Sequence, residues 1–172
     1  MTRSNALATP STSALALAAA LAATLPAPRA AQAQAIQGTF SADPSRAAFS
    51  TTTVDGRPVD TINVLAPTAV VNWTPFDTAA GADPILLLDQ EATALFERNV
   101  GNFTVLNRVV PTGAASQRAI RIDGQVLSRV SGNPAGTVMF YSPNGIVIGP
   151  SGTFDVGSLV LTTLEHPHFS DG

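Results

Sequence analysis

Residues 140–163 read FYSPNGIVIGPSGTFDVGSLVLTT, and this stretch carries the clearest indication of the fold. It contains three short runs rich in β-branched and aromatic residues, at 146–148, 153–156 and 159–161. Gly, Asn and Pro lie between the runs, and these residues supply the backbone angles that tight corners need. The pattern therefore predicts very short strands joined by sharp turns.

The same pattern continues upstream, with short runs at 120–122, 125–127 and 137–141. Short strands at this spacing fit an all-β coil, a β-solenoid in which each rung takes about 20 residues. A β-sandwich is the alternative, because short strands with turn signals also describe sandwiches. In a solenoid, one inward-facing stack is predicted to contain Val138, Phe140, Ile146, Ile148, Phe154, Val156, Leu159 and Leu161.

The region before residue 120 is less regular. Residues 36–60 are rich in Ala, Ser, Thr, Asp and Pro, and they are predicted to form a loosely packed leader with one strand at most. Pro67 divides residues 61–73 into two short strands, because proline cannot donate to a ladder. Residues 85–88 form an apolar run suited to a buried strand. A helical turn competes with a strand at 91–98.

The first 35 residues have the three parts of a secretory signal peptide. Arg3 gives a positive start, residues 14–25 are apolar apart from one threonine, and a small-x-small ending follows. Ala33 and Ala35 frame the predicted cleavage after Ala35, and Ala31-Gln-Ala33 is a second candidate. The apolar run has roughly 12 residues and a membrane span needs about 20. The translocon and signal peptidase are the expected partners, and no later segment is predicted to cross a membrane.

Charge and cysteine content exclude several classes of protein. Cleavage after Ala35 removes two of the nine Arg residues and leaves seven basic residues against 12 acidic ones, a net charge of 7 − 12 = −5. Such a chain lacks the basic footprint of a nucleic-acid binder. Without cysteine, an exported chain has neither disulfides nor thiolate metal ligands.

Three segments carry a resemblance to a known family. Residues 140–163 contain the pentapeptide Ser142, Pro143, Asn144, Gly145, Ile146, residues 104–109 read TVLNRV, and residues 122–125 read IDGQ. In this order they resemble the filamentous-haemagglutinin N-terminal domain, the secretion domain of two-partner-secretion exoproteins. The resemblance covers roughly residues 71–169. Ser142 stands where the family has Asn, and residues 97–103 lack the second Asn-Pro-Asn-Leu motif of some members.

The resemblance implies a right-handed parallel β-helix over residues 61–172, with short extra strands near the N-terminus. It implies an N-terminal secretion domain of a large exoprotein or adhesin from a Gram-negative bacterium. Such a domain passes the periplasm, engages the periplasmic domains of a dedicated outer-membrane transporter, and templates β-helix folding at the cell surface or in the medium. The alternative is a stand-alone surface adhesive or carbohydrate-binding solenoid.

By resemblance, the residues expected to act in secretion are the pentapeptide 142–146 together with Asn107 and Arg108. Their chemistry also allows a simpler interpretation. Proline presets the first corner of a turn, and Asn or Gly takes the position with positive φ. The Ser142 hydroxyl or the Asn144 amide can bond nearby backbone groups. The segment would then shape a corner and touch no partner.

No enzymatic activity or cofactor is predicted. His166 and His168 flank a proline and fall short of a closed metal site. A Gly-x-Ser-x-Gly elbow and a phosphate-binding loop are both absent from the sequence. The stacked pattern still runs through residues 157–164, close to the last residue, Gly172. An uncovered last rung exposes apolar residues and strand edges. The sequence is therefore expected to be a truncated form of a longer exoprotein.

Overall fold

The computed structural model describes residues 33–81 and 84–165. Most of the predicted signal peptide and both histidines of the rejected metal site lie outside these residues. The described chain is all-β, as predicted, and its helical content is one 3₁₀ turn at Gly113–Ala115. In this part of the chain, no helix is long and apolar enough to cross a membrane.

Fourteen strands follow one another along the described chain. They are β1 (Gly38–Ala42), β2 (Ala47–Val54), β3 (Arg57–Val64), β4 (Thr68–Pro75), β5 (Ile85–Leu88), β6 (Thr93–Arg98), β7 (Thr104–Val109), β8 (Ile120–Ile122), β9 (Gln125–Val130), β10 (Asn133–Pro134), β11 (Thr137–Tyr141), β12 (Ile146–Ile148), β13 (Thr153–Asp155) and β14 (Ser158–Thr162). The short runs predicted at 85–88, 120–122, 137–141 and 146–148 are confirmed with the same bounds. Pro67 separates β3 from β4, and residues 93–98 form a strand, so the competing helical turn is wrong.

The strands form three sheets: sheets 1 and 2 combine parallel and antiparallel pairs, and the strands of sheet 3 are parallel. Sheet 1 has the order β1-β4-β7-β11-β14, sheet 2 has the order β10-β9-β6-β3-β2 with β13 beside β9, and sheet 3 has the order β12-β8-β5. From β4 to β14, apart from the two-residue β10, the chain passes through sheets 1, 3 and 2 in that order and then repeats it. The successive rounds are β4, β5 and β6, then β7, β8 and β9, then β11, β12 and β13, and β14 returns to sheet 1. All pairings between successive members of this rotation in one sheet are parallel.

One buried apolar cluster draws side chains from all three sheets. Val105 of sheet 1, Val126 of sheet 2 and Ile120 of sheet 3 are each completely buried in it. Alternate residues of each strand point to one face, which explains the alternating burial of β4 and β9. The core therefore lies where the inner faces of the three sheets meet.

The predicted loose leader at 36–60 is wrong. The segment holds β1, β2 and the start of β3, and β1 and β2 run antiparallel to their partners β4 and β3. Ile36 forms an antiparallel bridge to Leu88 at the end of β5. Phe40 and Phe49 stack on each other and meet the edge of Trp73. A polar composition concealed this packing because threonine and serine alternate with the few apolar anchors.

The predicted inward stack is confirmed for most members and wrong for two. Val138 and Phe140 are buried, and Ile146, Phe154, Val156 and Leu159 pack against the core. Ile148 and Leu161 are 39% and 40% exposed. Both belong to β12 and β14, whose pairing within the described residues is on one side only. The prediction treated β12 and β14 as if a neighbouring strand covered each of them on both sides.

Gly149, directly after β12, lies against the side chain of Asp123. A Cβ atom at this position would lie far inside van der Waals contact with Asp123 Oδ1. Asp123 forms an ion pair with Arg121, with 2.8 Å between Nε and Oδ2. Because Gly149 has no side chain, the carboxylate of Asp123, in the turn after β8, fits against its backbone.

Candidate functional site

The pentapeptide 142–146 forms the corner between β11 and β12. Pro143 is exposed, and Gly145 has a φ of 108°, a conformation that favours glycine. The Gly145 amide donates to the Ser142 carbonyl, and the Ser142 amide donates to the Thr162 carbonyl of β14. The prediction that Asn or Gly takes the positive φ is therefore confirmed at Gly145.

Asn144 ties this corner to the preceding connection. Its Nδ2 donates a hydrogen bond to the carbonyl of Ser116, at the end of the 3₁₀ turn. The Ile120 amide donates to the Gly145 carbonyl at 3.1 Å. These bonds hold the loop before β8 against the loop before β12. The Asn144 amide thus bonds a backbone carbonyl, but that carbonyl lies 28 residues away in another loop and not in the nearby turn, as the sequence had suggested.

Ser142 has a different environment from the one predicted for it. The residue is completely buried, and its Oγ has no hydrogen-bond partner among the described residues. A buried hydroxyl without a partner forfeits the free energy of solvation that it had in water. Ser142 therefore does not cap the turn through its side chain.

Asn107 lies in the middle of sheet 1 and is completely buried. Its Oδ1 accepts a 3.0 Å hydrogen bond from Trp73 Nε1 of β4, and its Nδ2 donates to the Met139 carbonyl of β11 at 3.2 Å. The side chain thus connects three neighbouring strands. Its amide satisfies two buried polar groups, so the residue holds the sheet together and is not open to a partner.

Arg108 points the opposite way from Asn107. It is paired across the ladder with Tyr141, the residue before Ser142, so the sheet brings it next to the corner. Its Nη2 lies 2.6 Å from Glu165 Oε1, and about a fifth of its side chain is exposed. Of the site residues predicted within the sheet and corner, Pro143 is exposed, Asn107 and Ser142 are buried, and the others are partly exposed.

The two alanines of the predicted cleavage motif have opposite environments. Ala33 is exposed, whereas Ala35 is completely buried in the core cluster. The sequence motif gave no sign of this difference, because both positions call for a small residue.

Asp60 is a residue that the sequence analysis missed. Its carboxylate is completely buried, and it accepts hydrogen bonds from the Ile36 amide at 2.8 Å and from Thr51 Oγ1 at 2.7 Å. A single Asp in a strand gave no signal, since scattered acidic residues are usually solvated. Asp60 joins β2 and β3 to the segment that precedes β1.

Charged side chains elsewhere form separate pairs across the ladders. Arg129 of β9 pairs with Asp155 of β13 at 2.5 Å, and Arg118 pairs with Asp77 at 3.0 Å. In the part of the chain that the structure describes, no three His, Cys, Asp or Glu side chains are grouped to hold a metal ion. The charges therefore link neighbouring strands and loops and do not converge on one point.

No protein-family model, curated protein or solved structure matches this chain.

Proposed function

We propose that this chain is the N-terminal secretion domain of a large exoprotein or adhesin, folded as a right-handed parallel β-helix. The observation that carries the proposal is the rotation of the chain through three sheets with parallel pairing at every return. Parallel strands need long crossover connections, and here the crossovers are the strands of the other two sheets. This connectivity supports the proposed coil.

The ladder registers support a coil over a sandwich. Thr68 pairs with Thr104, Thr104 with Thr137, and Thr137 with Ser158, so the returns take 36, 33 and 21 residues. A sandwich of the usual kind is built from antiparallel sheets. Among the residues that the structure describes, antiparallel pairing is confined to the partners of β1, β2 and β10 and to the Ile36 bridge.

The first and the last strands of the three sheets have different neighbours. Antiparallel β1 and β2 and the Ile36 bridge lie on the first strands of the three sheets. At the other end, each of β12, β13 and β14 has a paired strand on one side only, within the described residues. A free edge can accept a further strand. This asymmetry supports a role in which the domain is laid down first and templates parallel strands after it.

The corner at 142–146 is the proposed secretion determinant. It offers the exposed Pro143 and the partly exposed Asn144, with Arg108 on the neighbouring strand. These groups are proposed to contact the periplasmic domains of a two-partner outer-membrane transporter after export by the general secretory translocon. Secretion into the medium or attachment to the cell surface follows from that route.

The test is secretion through a transporter encoded beside this gene. The full chain is co-expressed with that transporter in a Gram-negative host, and the medium and periplasm are assayed separately. The transporter is expected to move the chain into the medium, and Asn144→Ala is expected to retain it in the periplasm. Asn133→Ala in β10, whose side chain also bonds a carbonyl at the surface, is the matched control.

Thermal unfolding of the same variants separates recognition from corner formation. Loss of secretion by Asn144→Ala with an unchanged melting temperature assigns the corner to transporter contact. Loss of secretion together with a lower melting temperature assigns the corner to folding. Absence of a neighbouring transporter gene, or equal secretion with and without the transporter, would contradict the proposal. It would favour a stand-alone adhesive or carbohydrate-binding module.

A further inference from the structure

The segment 34–37 is built into the fold although it lies at the predicted boundary of the signal peptide. Gln34 Nε2 donates to the Gly38 carbonyl at 2.7 Å, and Gln37 Nε2 donates to the Gln34 carbonyl at 2.6 Å. The Gln37 amide donates to the Leu87 carbonyl at 2.7 Å. Gln34 therefore takes part in the hydrogen bonding of the domain.

Ala35 and Ile36 are part of the hydrophobic core. Their relative exposures are 0% and 2%, whereas Ala33 is exposed. The Ile36 amide is fixed by Asp60 Oδ2, a buried carboxylate whose other oxygen accepts from Thr51. Among the described residues at this end, burial thus rises from the exposed Ala33 through the partly buried Gln34 to the buried Ala35.

We propose that export processing cuts the Ala33–Gln34 bond and leaves Gln34–Gln37 as the anchored mature amino terminus. This inference rests on the proposed export of the chain. In the step, water adds to the Ala33 carbonyl carbon and the C–N bond breaks. Ala33 keeps the new carboxylate, and Gln34 takes the protons that make its α-amino group an ammonium. Ala31 and Ala33 are the two small residues that this cleavage requires.

Cleavage after Ala35, the first prediction from the sequence, would damage the fold at this point. It would remove the buried Ala35 methyl group and both Gln34 hydrogen bonds. It would also place an ammonium on Ile36 beside Asp60, in a site that is closed to solvent. Asp60 is already buried, so the added cost is the desolvation of the new ammonium, which its attraction to Asp60 must offset. The existing amide already satisfies Asp60 Oδ2 without that cost.

The surroundings of Gln34 suit a new positive charge. A cleft of about 610 Å³ is lined by Ala33, Gln34 and Gln37 together with Asp77, Asp89 and Glu91. Asp77 pairs with Arg118, and Glu91 pairs with Arg57 at 2.8 Å. Among the described residues, Asp89 has no ion-pair partner. An ammonium at Gln34 and the carboxylate of Asp89 would thus line the same cleft, with charges of opposite sign.

The test is the intact mass of the processed protein. The full precursor is expressed in a Gram-negative host, and the exported product is recovered in denaturant so that folding does not affect the result. The expected amino terminus is Gln34. Ala31→Leu removes a small residue that only this cleavage uses, and it is expected to abolish the Gln34 form. Ala35→Val alters only the site after Ala35 and is expected to leave the Gln34 terminus unchanged.

A product that begins at Ile36, or an Ala35→Val variant that is no longer processed, would overturn the inference and leave export intact. An uncut precursor retained in the cytoplasm would overturn export and this inference together. A second measurement compares melting temperatures of exported chains that begin at Gln34 and at Ile36. The shorter chain is expected to melt at least about 3 °C lower. Equal melting temperatures would contradict the anchoring role of Gln34 and Ala35.

Discussion

The indole Nε1 of Trp73 donates a 3.0 Å hydrogen bond to Oδ1 of Asn107, and both residues are buried in sheet 1. Asn107 Nδ2 in turn donates to the Met139 carbonyl, so a polar chain crosses three parallel strands inside the core. Buried networks of this kind stabilise a fold only when every member has a partner. The relationship makes Asn107 a structural residue of the ladder.

Replacing Asn107 by Ala is expected to lower the free energy of unfolding by about 2–4 kcal/mol, since it leaves Trp73 Nε1 and the Met139 carbonyl without this partner. Urea unfolding of the purified protein measures this change. Asn99→Ala, on an exposed loop, is the control and is expected to change little. In a double-mutant cycle, Trp73→Phe is expected to cost less in the Asn107→Ala background than in the wild type. Full additivity would contradict the network.

Replacing Gly149 by Ala is expected to lower the free energy of unfolding by about 1–3 kcal/mol, because the new methyl group displaces the Asp123 carboxylate from its pair with Arg121. Gly81→Ala is the control, since its Cβ would be 3.7 Å from the nearest Arg118 atom. Asp123→Ala in the Gly149→Ala background is expected to recover part of the loss. If the double variant is no more stable than Gly149→Ala alone, the clash is not the cause.

Two buried serines are expected to respond in opposite ways to alanine. Ser128 Oγ donates to the Ala135 carbonyl at 2.6 Å and accepts from the Gly157 amide at 3.2 Å. Ser128→Ala is therefore expected to cost about 1–3 kcal/mol. Ser142→Ala removes a hydroxyl that has no partner in the described structure, and stability is expected to stay equal or rise. Thermal unfolding compares the two variants. A large drop in the melting temperature of Ser142→Ala would contradict the absence of a partner for its hydroxyl.

Asp43 is expected to titrate below its usual range. The Ser45 amide and then the Ser45 hydroxyl donate to its carboxylate, and Arg46 adds a weaker attraction, so the pKa of Asp43 is lowered from 3.8. A lowered pKa in the folded state favours folding above pH 3.8, and this contribution disappears as the pH falls through the folded value. Carbon-detected NMR titration of the carboxyl group measures the midpoint. A midpoint at or above 3.8 would contradict the turn geometry.

Short strands between turn residues could be predicted closely from residues 120–162, because each corner is marked by Gly, Pro or Asn. Residues 36–60 could not, since β1 and β2 owe their position to distant partners such as Trp73 and Val64. The corner at 142–146 was predictable as a turn through Pro143 and Gly145. The bond from Asn144 to Ser116 was not, because it joins loops that only the ladder registers bring together.

The registers of the ladders also set the order in which the chain can fold. Each strand from β6 onward pairs with a strand that lies earlier in the chain. The paired residues are separated by 34 positions for Val59 with Thr93 and by 26 positions for Ile120 with Ile146. The widest closure among these ladders and bridges is between Ile36 and Leu88, 52 residues apart. If the chain becomes available amino end first, a free length of about 50 residues is therefore enough to complete each of these pairings.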